Sequence, residues 1–120
     1  FVKAQYGTPK EILKFPKHFI AVTVTVDDTD IPANAEGKKI VPAGTIVGGG
    51  TLEDPIVHVT KTNDELTGAE AEGVLLYDVD VTHGPKEAAM VIHGFINLDK
   101  LPEEPHESAI EALKQITFLR

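Results

Sequence analysis

Two carboxylates and two histidines are the residues best suited to acid–base chemistry in this chain. Asp78 and Asp80 stand two positions apart, and His58 and His93 lie in largely apolar segments. Acid–base catalysis requires such groups to converge on one substrate, with pKa values set apart by their surroundings. The spacing of the two acids places them side by side on one face of a strand, without a His, Lys or aromatic partner that the sequence identifies. We therefore predict solvated acids at the end of a strand, no catalytic residues and no enzymatic activity.

The sequence also gives little indication of a metal-binding site. Residues 27–30 read Asp-Asp-Thr-Asp, but they lack the alternating acids, central Gly and closing Glu of a calcium-binding loop. His58 has no second ligand at metal-binding spacing. The chain has no cysteine, which excludes a disulfide scaffold and a thiolate zinc site. We predict no metal and no cofactor.

A run of three glycines at residues 48–50 invites comparison with phosphate-binding loops. The spacing from Gly44 to Gly48 is one residue too short, and no Lys-Ser/Thr pair follows. A tight chain reversal is the better interpretation, because glycine tolerates positive φ angles. The 19 acidic and 11 basic residues give a net charge of −8, which argues against nucleic acid as a direct partner. The longest apolar run falls far short of a membrane span.

The elements that would position these residues are mostly strands. Residues 19–26 alternate strictly, which predicts a half-buried strand with Ile20, Val22, Val24 and Val26 inward. Residues 73–82 and 87–98 are rich in Val, Leu, Ile and Phe and flank a His-Gly-Pro break, which predicts two strands folded back on each other.

Shorter segments complete a small β-rich domain. We predict short strands at 39–41, 45–47, 56–61 and 117–119, and one helix at 106–115 with its apolar stripe on Ala109, Ile110, Leu113 and Ile116. With 120 residues, the chain fits one domain. The fold class predicted from these patterns is mainly β, with one C-terminal helix.

Residues 1–18 differ from the rest of the chain. They contain four of the eleven basic residues and three of the seven aromatic residues. One interpretation is a frayed terminus. The other is a segment that docks on a partner, because exposure of its many apolar side chains to water would be unfavourable. We divide the chain into an extended arm at 1–18 and a single domain at 19–120.

The order of sequence motifs resembles a known group of phage proteins. TPKEILK is followed by a Thr/Val strand ending in VDDT, by GKKIVPAGTIVGG, by AEGVLLYDVDVT, by VIHGFINLDKLP, by a helix and by ITFLR. This order resembles the head decoration or head-fibre proteins that tailed phages of Gram-positive bacteria encode beside the major capsid protein. In outline it is also similar to the lambda-type head decoration protein, from which it departs in residues 19–40 by a longer Thr/Val strand.

The resemblance implies a non-enzymatic cementing protein with a small β-clip or barrel-like domain and an extended N-terminal arm. Such proteins lie on the outer surface of the mature virion head, after synthesis in the host cytoplasm, and stabilise contacts between major capsid protein subunits. The implied partners are the major capsid protein and other copies of the chain in a homotrimer. The arm would supply the capsid-binding residues, namely Phe1, Val2, Lys3, Tyr6, Pro9, Lys10, Ile12, Leu13, Lys14 and Phe15.

Two alternatives remain open from the sequence. One is the base domain of a phage head fibre. The other is a small cytosolic ligand-binding β-barrel or enzyme that uses His58 or His93 with Asp78 or Asp80.

Overall fold

Residue placements come from a computed structural model, which describes residues 12–15, 17–28 and 31–119. Within these ranges the chain forms eight strands and one α-helix. The strands are β1 Phe19–Val26, β2 Ile40–Val41, β3 Ile46–Gly48, β4 Thr60–Lys61, β5 Ala71–Leu75, β6 Val79–Asp80, β7 Lys86–Asn97 and β8 Ile116–Leu119, the helix is α1 Glu107–Ala112, and short 3-10 turns occupy Gly68–Glu70 and Leu98–Lys100. The prediction of a small, mainly β domain with one C-terminal helix is confirmed.

Strand β7 is the centre of the main sheet. One edge of β7 pairs with β1 in antiparallel register from Val26–Lys86 to Phe19–Gly94. The other edge pairs first with β5, antiparallel, and then with β8, parallel. The sheet continues from β5 through β3 to β4, while β2 and β6 form a separate two-stranded sheet. A strand of twelve residues is long for a small domain, and three other strands pair along its length.

The main sheet closes on itself through Val59, which directly precedes β4. The Val59 N–H donates to the Thr25 carbonyl at 2.8 Å, and the Asp27 N–H donates to the Val59 carbonyl at 3.0 Å. These two bonds form a parallel bridge between Val59 and Val26 of β1. The pairings therefore run from β1 through β7, β5, β3 and β4 and return to β1. Closure of this kind removes much of the exposed edge that an open sheet would present.

The sheet is buried on both faces. Neighbouring residues in a strand point to opposite faces, and both members of the pairs Ile46/Val47, Val74/Leu75 and Met90/Val91 are buried. Val47, Leu75 and Met90 belong to the cluster inside the ring, together with Val24, Val26, Val41, Val59, Val79 and Val81. Ile46, Val74 and Val91 belong to the cluster on the outer face, which Ile12, Leu13, Ala43, Ala71, Leu76, Ile96, Ala109, Leu113 and Ile116 complete.

The predicted hairpin of two long strands is only partly present. Strand β5 pairs with β7, but it ends at Leu75, and β6 pairs with β2 in the second sheet. The Leu76 N–H still donates to the Ala89 carbonyl of β7 at 3.0 Å. Beyond this bond the Ala43 N–H donates to Asp78 Oδ1 at 2.7 Å, and Val79–Asp80 pairs with β2, so the segment changes its partner. Tyr77 is exposed between the two pairings.

Three other predictions are wrong in their extent. In the predicted 56–61 strand only Thr60–Lys61 is a strand, because residues 54–57 form turns around Asp54. Helix α1 is shorter than predicted, since Leu113 leaves the helical region at φ −91°, ψ 68°. The inward face of β1 holds for Val24 and Val26, but Ile20 is 55% exposed beyond a bulge in the β1–β7 register.

The division of the chain at residue 18 does not follow the packing. Ile12 and Leu13 are 0% and 6% exposed in the outer cluster. The Asn97 N–H donates to the Ile12 carbonyl at 2.7 Å, and the Lys14 N–H donates to the Phe95 carbonyl at 2.8 Å. This segment extends the sheet beside the end of β7, on the same edge as β1. The domain therefore includes residues that we assigned from sequence to the arm.

This placement predicts that Ile12→Ala destabilises the domain. Removal of a fully buried Ile side chain costs about 2–5 kcal/mol through lost burial and the cavity that remains. The matched control is Ile56→Ala, since Ile56 is 83% exposed and its truncation should change stability by less than about 0.5 kcal/mol. Urea unfolding of both variants measures the two free energies. Equal stabilities in the two variants would show that Ile12 is not part of the core.

Candidate functional site

The ten predicted capsid-binding residues fall into three groups. Ile12 and Leu13 are buried in the core of the domain itself, so in this conformation they offer no surface to a partner. Lys14 and Phe15 are exposed. The remaining six lie outside the described residues, namely Phe1, Val2, Lys3, Tyr6, Pro9 and Lys10.

Phe15 belongs to an exposed cluster of rings at the end of β7. Its ring meets Phe95 edge-on, with centroids 5.2 Å apart and planes at 80°. The His18 ring lies 5.6 Å from Phe95 and 5.4 Å from His93. Ile20 pairs directly with His93 across the β1–β7 register, which places the two side chains on one face. We call these five residues the aromatic patch: Phe15, His18, Ile20, His93 and Phe95.

The backbone explains why these side chains meet. His93 and Phe95 are two apart on β7 and therefore share a face. The chain between the Ile12 pairing and β1 crosses this face in a turn, with the His18 N–H donating to the Phe15 carbonyl at 3.0 Å. Gln115 borders the patch, with its Oε1 3.1 Å from His93 Nδ1. Phe15 and Ile20 nevertheless remain 49% and 55% exposed.

The two segments that build the patch contain no acidic residue. Residues 12–26 carry Lys14, Lys17 and His18, and residues 88–98 carry His93, but neither segment contains Asp or Glu. All 19 Asp and Glu residues of the chain therefore lie outside these two segments. The absence of acids is visible in the sequence, but only the β1–β7 register shows that the two segments adjoin. The sequence indicated the basic N-terminal segment, but it did not indicate that residues 88–98 lie beside this segment.

The four candidate acid–base residues are not brought together. Asp78 accepts the Ala43 N–H, and Asp80 accepts the backbone N–H and the hydroxyl of Thr82. His58 Nδ1 lies 3.8 Å from Asp27 Oδ1, at the point where the ring closes. Among the described residues, no hydrogen bond or ion pair joins any two of the four groups. The Thr82 hydroxyl, and then the Thr82 N–H, hold the pKa of Asp80 below its usual value of 3.8.

The described residues contain no group of three or more His, Asp or Glu side chains arranged to hold a metal ion. Asp27 and Asp28 of the acidic run lie within the described ranges, whereas Asp30 lies outside them. No helix in the described ranges has the length and apolar character needed to cross a bilayer.

The glycine run forms the predicted chain reversal. Gly49 and Gly50 adopt φ angles of 126° and 109°, in the region that favours glycine. The amides that follow point at a carboxylate of the protein itself, because Glu72 accepts the N–H groups of Gly50, Thr51 and Leu52 at 2.9–3.0 Å. This anion-binding loop is therefore filled by Glu72, and a phosphate would have to displace it.

A groove of about 580 Å³ opens between the β2 region and the β3–β4 region. Its walls are largely aliphatic and include Ile31, Ile40, Val41, Ile46, Val47 and Val59. Three polar residues of the lining pair with each other, since Lys61 pairs with Glu103 and the Asn63 side-chain amide donates to Glu103. The described lining residues therefore provide mainly van der Waals contact.

No protein-family model matches the chain, and no curated protein sequence matches it significantly.

The contacts of Asp80 predict a local effect of pH. The Thr82→Val substitution removes the hydroxyl that lowers the pKa of Asp80, so this pKa should rise toward 3.8. A carboxylate with a lowered pKa in the folded state contributes stability above the unfolded-state pKa, and this contribution is lost as the pH falls through the folded-state value. The variant should therefore lose less stability on acidification below about pH 4. NMR titration of the Asp80 side chain measures the pKa directly.

The control is Thr117→Val, which makes the same change at an exposed position of β8. It should leave the titration of Asp80 unchanged. Identical Asp80 titration curves in both variants would contradict the role assigned to the Thr82 hydroxyl.

Proposed function

We propose that this chain is a phage capsid decoration protein that binds the outside of the head and stabilises contacts between major capsid protein subunits without enzymatic activity. The observation that carries the proposal is the exposed aromatic patch, which is built by two segments without Asp or Glu, residues 12–26 and 88–98. The order of sequence motifs, which resembles head decoration proteins, supports the same function.

The patch has the composition expected of a protein-binding surface. Exposed apolar groups that adjoin polar residues mark interaction sites on soluble domains, and aromatic residues are enriched where partners meet. Phe15 and Ile20 are each about half exposed, so covering them would contribute on the order of 1 kcal/mol apiece. His18, His93 and Phe95 add ring surface that a partner side chain can contact.

The charge near the patch differs in sign from that of the whole chain, whose net charge is −8. Lys14 and Lys17 flank the patch and give it the opposite local sign. A surface of this kind suits a partner with acidic groups around an apolar centre.

Rigidity is the second property that a cementing protein needs, and the fold supports it. The main sheet is buried on both faces and is closed through Val59. A domain of this construction can hold neighbouring shell subunits at fixed separation, because packed interiors deform little. Trimer formation and location on the outer surface of the virion are part of the same proposal.

The ligand-binding alternative has one observation in its favour, the aliphatic groove beside β2. Lys61 and Glu103 in its lining pair with each other, however, and its described lining residues present no converging polar set of the kind that orients a small molecule. The aromatic patch therefore supports binding to a protein better than the groove supports binding to a ligand.

The proposal predicts that deletion of residues 1–11 abolishes or strongly weakens binding to expanded shells of the neighbouring gene's major capsid protein. This deletion keeps Ile12 and Leu13, so the outer cluster remains filled. Deletion of residues 1–18 would remove both side chains, and its loss of binding would be confounded with loss of stability. Sedimentation of shells with labelled protein measures occupancy, and thermal unfolding confirms that the truncated domain is folded.

Full occupancy of shells by the truncated protein would show that residues 1–11 are not an anchor. Failure of the full chain to bind these shells would reject the decoration function itself. A shell reconstruction with three-fold clusters of density would support the trimer, and isolated single copies would reject it.

A further inference from the structure

Strand β1 has an outer edge that no described residue covers along its first half. Backbone groups of alternate strand residues point to the same edge. The Thr25 carbonyl and the Asp27 N–H point away from β7, because both bond to Val59. The same alternation directs the N–H and C=O groups of Phe19, Ala21 and Thr23 outward. No hydrogen bond in the described ranges reaches these groups, so we call Phe19, Ala21 and Thr23 the open edge.

The open edge lacks the devices that normally protect an edge strand. Natural edges are blocked by Pro, by inward-pointing charge, by a bulge or by a covering element. Strand β1 reads Phe-Ile-Ala-Val-Thr-Val-Thr-Val, without a proline or a charged residue. The irregular step between Ile20 and Ala21 matches them to His93 and Val91, so the extra residue is in β7 and β1 stays regular. Val59 covers β1 only from Thr25 onward.

The residues beside the open edge indicate the charge and the polarity of a partner that would bind there. The aromatic patch continues from Ile20 on one face of the strand, and Phe19 remains 37% exposed. Lys14, Lys17 and His18 precede the edge, and no carboxylate occurs between residues 12 and 26. A second copy of the chain would bring no acidic residue in its matching segment. The lysines of this surface attract a partner segment that carries carboxylates, whereas the same segment of a second copy carries none.

We propose that the open edge and the aromatic patch accept an extended, acidic segment of a partner chain, which adds a strand to the main sheet beside β1. This inference rests on the proposed function, under which a shell subunit supplies the segment. Main-chain hydrogen bonds to Ala21 and Thr23 provide affinity, and alternate side chains of the added strand contact the patch and the lysines. The docking surface thus lies in the folded domain, in addition to any contact made by residues 1–11.

The backbone part of the proposal is tested by Thr23→Pro in the full chain. Proline removes the outward N–H of Thr23 and leaves the bonds between β1 and β7, and an edge strand tolerates proline at such a position. Binding to expanded shells should weaken at least about tenfold, since the added strand loses a ladder bond and meets the proline ring. The matched control is Thr23→Ala, which keeps the N–H and should bind within about twofold of wild type.

The charge part is tested by Lys17→Glu, with Lys38→Glu as the control of equal charge change. Lys17 precedes the open edge, whereas Lys38 lies near Asp80 in the β2–β6 region. Lys17→Glu should reduce shell binding about tenfold at low salt and less at high salt, and Lys38→Glu should have little effect. Circular dichroism and thermal unfolding verify that each variant is folded.

Hydrogen exchange gives a readout that does not depend on substitutions. The amides of Ala21 and Thr23 should exchange more slowly in shell-bound protein than in free protein, because they become hydrogen-bonded. Wild-type binding with unchanged exchange at both amides, or equal binding by Thr23→Pro, would overturn the inference and leave the decoration function standing. Absence of wild-type binding would reject both. Dimers of free protein that Thr23→Pro dissociates would show that a second copy is the occupant, which also overturns it.

Discussion

The double burial of strand β7 is the constraint on which the rest of this domain depends. Met90 contacts the cluster inside the ring, and Val91 contacts the cluster outside it. A strand in this position needs partners on both edges, because unpaired backbone groups are costly in a dry environment. Strand β1 and the Ile12 segment satisfy one edge, and β5 and β8 satisfy the other. The Ile12 segment is therefore part of the sheet for energetic reasons.

The same constraint places the exposed rings. Beyond Gly94 the edge of β7 passes from β1 to the Ile12 segment, and the chain between them must cross the face of the sheet. This crossing brings Phe15 and His18 over Phe95 and His93. The aromatic patch thus arises where one strand exchanges partners, which is also where the open edge begins. The two features of the proposed docking surface therefore adjoin each other.

The sequence predicts the local parts of this structure better than its long-range pairings. The alternation in residues 19–26 identified β1, and the apolar stripe identified α1, since both patterns repeat over neighbouring residues. The ring closure through Val59 and the pairing of β6 with β2 join segments that are distant in the sequence, and periodicity does not reveal such pairings. Glu72 is similar, because its three amide partners lie about 20 positions away. For the candidate surface, composition indicated the N-terminal segment but not its union with residues 88–98. It also assigned Ile12 and Leu13 to a partner, although the core uses them.

The antiparallel register of β1 and β7 has a mechanical consequence. A tether attached along β1 and pulled parallel to the strand would load the hydrogen bonds between Phe19–Gly94 and Val26–Lys86 in shear. In shear these bonds carry the force together, whereas a pull across the strand would break them one after another. The Val59 bridge resists such peeling at one end of β1 only. A load transmitted along the strand is therefore borne by the whole length of the pairing, and this is the direction in which the β1–β7 contact is strongest.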